Sequence, residues 1–110
     1  MNFTTKLPQM SDKALNEIRS RNEQRITELL SEIKSDLHNE RSSLSKNLRM
    51  HSQRGKYQYF YGYLGFSYDK VYDSQYLCTN LAKKLNQEFV NYFRFTCHNG
   101  NLTIQWPSSV

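Results

Sequence analysis

KYQYFYGYLGFSY, residues 56–68, is where this chain changes character. Aromatic residues alternate with small or polar ones, a strand-favouring pattern, and Gly62 and Gly65 mark a bend, a bulge or a turn. Along an extended chain Tyr57, Tyr59, Tyr61 and Tyr63 fall on one side. Phe60 and Leu64 fall on the other, joined by Phe66 if the register carries through the glycines. One long bent strand or a tight hairpin is expected. Upstream the composition differs: of the fourteen Tyr and Phe residues only Phe3 precedes Gly55, and the single tryptophan, Trp106, also follows it. The chain therefore divides at Gly55 into a helix-forming arm and an aromatic head.

Downstream of the aromatic segment, Asp73 or Ser74 is placed to cap a helix reaching about Phe89. Leu77, Cys78, Leu81, Ala82, Leu85 and Phe89 form its apolar face. Asn99-Gly100 is the favoured pair for a type I′ hairpin turn. That register sets Cys97 opposite Leu102, Phe95 opposite Ile104 and Phe93 opposite Trp106, all on one face. Tyr92, Arg94, Thr96, His98, Asn101, Thr103 and Gln105 occupy the other. An apolar hairpin face needs a cover, and the Leu77–Phe89 helix is the nearest candidate. The predicted fold is α+β: a long N-terminal amphipathic helix followed by a small β(β)αββ module with a C-terminal hairpin. Its expected divisions are a flexible segment (1–10), a helical arm (11–54), the aromatic module (55–107) and a tail (108–110).

Between Pro8 and Gly55 the arm has neither proline nor glycine, and Ser11 or Asp12 stands where a helix cap is needed. Leu15, Ile18, Asn22, Ile26, Leu29, Ile33, Leu37, Glu40, Leu44 and Leu48 then recur at intervals of 3, 4 and 4, an eleven-residue repeat. One narrow apolar stripe on a helix of about 40 residues, roughly 60 Å long, reads as a coiled-coil-like seam between chains. Asn22 would set its register, since a buried amide must find a partner, and Glu40 would interrupt it. Weak helix propensity around Ser42 offers the alternative of a break there, giving a helical hairpin or an arm folded back on the head. On the seam reading, replacing Leu29 and Ile33 with Asp should dissociate the assembly.

The formal net charge is +5. Residues 41–56 hold Arg41, Lys46, Arg49, Arg54 and Lys56 without a single acid, so this stretch can account for the whole excess. It suits a solvated helix end that complements the helix dipole, or an anionic partner such as nucleic acid. Tyr61-Gly62-Tyr63-Leu64-Gly65-Phe66 is similar to the second half of the RNP1 strand signature of RNA-recognition motifs. That resemblance implies aromatics that stack on exposed bases. It covers six residues; Tyr59-Phe60 stand where the family has a basic residue and a glycine, and the long helix stands in place of its first β-α-β half.

No catalytic constellation is present. His38, His51 and His98 are scattered, and there is no nucleophile elbow, phosphate-cradling glycine loop or zinc-protease motif. Asp69 and Asp73 flank a loop and suit turn and N-cap duties. Cys78 and Cys97 lack metal-ligand spacing and read as buried free thiols in a reducing compartment. No metal, no cofactor and no catalytic residue are expected. Without a run of ~20 apolar residues or a signal-peptide core, the expectation is an intracellular protein, cytoplasmic or nuclear, with no membrane partner. The leading functional expectation is a non-enzymatic structural or adaptor protein. It would self-associate or bundle through its helix and dock a protein partner through Tyr57, Tyr59, Tyr61 and Tyr63, as a small subunit of a larger assembly, a viral particle included. The alternative is a nucleic-acid-binding protein using the basic 41–56 stretch and neighbouring tyrosines.

Overall fold

The C-terminal hairpin organises the head of the molecule in a computed structural model that describes residues 3–67 and 70–109. Asn99 and Gly100 adopt positive φ angles of 50° and 79° and close the turn between β4 (Arg94–His98) and β5 (Asn101–Gln105). The register is the expected one, with Phe95 opposite Ile104 and Cys97 opposite Leu102. β1 (Gln58–Tyr63) pairs antiparallel with the other edge of β5, which becomes the central strand of a three-stranded sheet. α3 (Ser74–Glu88) covers one face, and the Asp73 carboxylate caps it by accepting from the Tyr76 N–H. Phe95, Leu102 and Ile104 are buried together with Leu77, Leu81 and Leu85 in the resulting core.

The aromatic segment is neither one long strand nor a single hairpin. β1 ends at Tyr63, Leu64 and Gly65 turn the chain, and β2 (Phe66–Ser67) pairs with β3 (Lys70–Val71) as a separate two-stranded sheet. Asp69 lies outside the described residues.

Two expectations about the arm are corrected. α1 runs from Phe3 to Leu37, about 52 Å at 1.5 Å per residue, so it starts well before Ser11 and takes in Pro8. Residues 3–10 are thus helical, with Pro8 inside α1. Nor does one helix span 11–54: the chain breaks at Ser42, the alternative offered by the weak helix propensity of that stretch, and α2 (Ser43–Gln53) is a separate element. Serines make the corner. Ser42 Oγ accepts from the Ser45 N–H to cap α2, and the Ser42 and Ser45 hydroxyls each donate to the Asp36 carbonyl at 2.7 Å. Carbonyls at a helix C-terminus lack intrahelical partners, and these hydroxyls supply them. Glu40 is therefore an exposed corner residue, its carbonyl accepting from Arg49, and not a flaw in a continuous seam.

The lower part of α1 lies along α3, and α2 closes the same core with Leu44 and Leu48. The upper part stands clear of the head. The Cα radius of gyration is 17.5 Å and the long axis 66 Å; a compact chain of this length would have a radius near 13 Å.

Candidate functional site

The apolar stripe on α1 has two fates. Asn22, Ile26, Leu29 and Ile33 are buried within the chain, and Leu37 packs against the same core. The seam amide does find a partner, but an internal one: Asn22 Oδ1 accepts from the Asp73 N–H at 3.1 Å, tying α1 to the start of α3. Tyr76 donates to the Glu23 carboxylate beside it, which raises the phenol above its ordinary pKa. Above this junction Ile18 is half-buried, and Leu15, Met10, Leu7 and Phe3 are exposed. At 100° per residue, Phe3, Leu7, Met10, Ala14 and Ile18 fall within an arc of roughly 80°.

The four tyrosines expected to meet a partner divide as well. Tyr59 and Tyr61 point inward and are half-buried. The Tyr59 hydroxyl accepts from Asn47 Nδ2 at 3.2 Å, and its ring stands edge-on to His51 with centroids 5.0 Å apart. Burial, then the nearby carboxylates of Glu32 and Asp36, push the Tyr61 phenol above its ordinary value of 10.0. Tyr57 and Tyr63 remain exposed. The phenol-bearing side of β1 faces inward because α1 and α2 give it neighbours. The residue this side displaces outward is Phe60, 69% exposed on the opposite face of the sheet.

That outer face shows Phe60, Arg94, His98 and Asn101 to solvent. Strand pairing sets Gln58, Gln105 and Arg94 in one row across it, and Phe60, Thr103 and Thr96 in the next. The first row leads into a groove of about 640 Å³ at the end of the sheet. Three separated segments build this groove: Gly55–Gln58 leading into β1, Val90–Arg94 leading into β4, and Gln105–Pro107 at the end of β5. Tyr57, Tyr92, Phe93 and Trp106 supply its rings, Lys56 and Arg94 its charges, and no acid lines it. The Trp106 N–H donates to the Tyr57 carbonyl at 3.1 Å and ties two of the segments together.

Arg41, Lys46, Arg49, Arg54 and Lys56 are all exposed, and among the described residues none of them forms an ion pair. Of the five, Lys56 alone lines the groove, joined there by Arg94 from β4. Sequence reasoning did not select Tyr92, Phe93, Arg94 or Trp106 as site residues. The opposition of Phe93 and Trp106 across the hairpin was the available signal.

A broader concavity of about 700 Å³ lies between α3 and the outer edge of β4. There Asn86 accepts from the Phe95 N–H at 2.7 Å and donates to the Phe95 carbonyl at 2.9 Å, occupying the edge of the strand with a side chain.

The cysteines and histidines do not form a reactive cluster. Cys78 is buried, and burial followed by the neighbouring Cys97 pushes its thiol up in pKa. His38 packs on Phe89 and His51 on Tyr59. Among the described residues no three His, Cys, Asp or Glu side chains come together as metal ligands, and no helix is long and apolar enough to cross a membrane. The six residues similar to RNP1 do not form one strand: they span the end of β1, a turn and the start of β2. Comparison with protein-family models, curated proteins and solved structures finds no match for this chain.

Proposed function

We propose that this protein is a non-enzymatic adaptor that self-associates through the projecting part of α1 and displays its aromatic head to a partner. The observation that carries this reading is the exposed stripe of Phe3, Leu7, Met10 and Ala14, which runs down to the half-buried Ile18. A projecting helix gains most of its stability from packing an amphipathic face, and above the half-buried Ile18 this face is exposed among the described residues. Charges beside the stripe favour one geometry. Lys6, Lys13 and Glu17 flank it on one side, and Thr4, Ser11 and Leu15 on the other. Antiparallel pairing brings like flanks together and sets Lys6 against Glu17 of a second copy. Parallel pairing would leave the charged flank facing an uncharged one.

Placement of the core changes the test suggested by sequence. Leu29 and Ile33 are buried against the head, so introducing Asp there would unfold it. The informative variant is Leu7→Asp with Met10→Asp, both on the exposed arm. Light scattering after size exclusion should give the wild type a multiple of 13.1 kDa and the double variant 13.1 kDa, with the head still folded. A wild-type mass of 13.1 kDa at every concentration overturns the proposal.

A further inference from the structure

We infer that the groove between Lys56, Tyr92 and Trp106, together with the open sheet face beside it, binds single-stranded nucleic acid. The inference is independent of the arm and rests on the composition and continuity of this surface. The groove joins exposed rings to two cations: Tyr57 and Tyr92 are exposed, Trp106 is half-exposed, and Lys56 and Arg94 are both exposed. Among the described residues neither cation forms an ion pair. Every base offers a π-face for such rings, whatever the sequence, while cations beside them neutralise phosphates. The groove volume of about 640 Å³ suits a ligand of base-and-sugar size.

The path continues beyond the groove onto the sheet. Arg94, Gln105 and Gln58 form both its margin and the first row of the sheet's outer face, and Phe60 stands exposed in the next row. Arg54, exposed at the end of α2, directly precedes Gly55 of the groove lining. Charge complementarity therefore favours an anionic ligand, because Lys56 and Arg94 line the groove without an acid beside them, and the row from Arg94 to Phe60 extends the surface past a single base.

A peptide is the less suitable occupant. Extended peptides bind sheets chiefly by adding a strand to a free edge. At β4 the Asn86 side chain already occupies both backbone groups of Phe95. A duplex fits poorly too, because its bases are stacked on one another and cannot lie on protein rings.

Trp106 is the only tryptophan in the chain and lines the groove, so its fluorescence reports on that site. The experiment uses the full chain and an oligothymidylate of about 10 nucleotides, followed by labelled-strand anisotropy and by Trp106 emission. Binding and quenching should share one midpoint, and binding should weaken steeply between about 50 and 200 mM salt. Tyr92→Ala should weaken binding about tenfold. Arg94→Ala should lower the magnitude of the log–log salt slope by about 0.7. Both side chains are exposed, so neither change should unfold the head, which circular dichroism checks. The Leu7→Asp, Met10→Asp variant should bind the oligonucleotide as the wild type does, separating this site from the arm. Absence of binding at about 100 μM strand and low salt overturns the inference. So does binding without Trp106 quenching, equal affinity for a duplex, or saturable quenching by an acidic peptide in place of the oligonucleotide.

Discussion

Replacing Ile33 with Ala tests the internal docking of the arm. Ile33 has 0% exposure in the core shared by α1 and α3. The change removes three buried carbons, worth about 2.4 kcal/mol at roughly 0.8 kcal/mol each. The residual cavity brings the expected loss to about 3–4 kcal/mol. With a urea dependence near 1.5 kcal/mol per molar, the unfolding midpoint should fall by roughly 2 M. Domains of this size have about 5–15 kcal/mol to lose, so the variant should still fold in water. The assay is urea unfolding by circular dichroism at two protein concentrations tenfold apart. Because Ile33 packs against its own chain, the difference from wild type should be the same at both. A difference that shrinks on concentration would place Ile33 between chains, and a loss below about 1 kcal/mol would mean the contact is not a close one; either refutes the reasoning.

Asn22→Ala should cost about 1–3 kcal/mol, because it strands the Asp73 N–H that Asn22 Oδ1 now accepts from. Faster hydrogen exchange at the Asp73 amide would locate the effect. Tyr61→Phe tests the phenol that burial and then Glu32 and Asp36 raise above 10.0. A phenol more readily neutral in the fold stabilises it fully below pH 10.0, and this contribution is lost as pH rises through the raised value. The variant should therefore unfold at higher alkaline pH and lose one late phase of the ultraviolet phenolate titration, that of Tyr76 remaining. Cys78, raised from 9.0 by burial, adds its own alkaline loss, so the substitution should delay unfolding without abolishing it.

The elements legible from sequence were those fixed by short-range rules. Asn99-Gly100 sets a two-residue turn, and once a turn is fixed every pair behind it follows, as Phe95 with Ile104 does. Asp73 caps α3 through its own side chain, and a 3.6-residue period selects the buried face. Sequence was less informative where the partner was distant. Alternation separated Phe60 from the tyrosines, yet which side faces inward depends on Asn47 and His51 receiving Tyr59 from another element. The groove was invisible for the same reason, since residues near 56, 92 and 106 meet only after β1 has paired with β5.

The eleven-residue repeat of the arm illustrates this limit and also supplies an argument. Apolar spacing says that a stripe will be covered, but nothing about which surface covers it. Here the competing surfaces can be compared by length. α1 extends about 52 Å, whereas α3, with 15 residues, spans about 22 Å. A helix that short can cover only the lower part of α1, and burial of the stripe does begin at Asn22 and run down to Ile33. The stripe continues upward past the reach of the head to Phe3. Exposed leucine and methionine on one face of a projecting helix have no function in the isolated chain's core. On the proposed reading, internal docking and self-association divide the same helix, with Ile18 at the boundary. Substitutions below Ile18 should act on stability at any concentration, and those above it on mass.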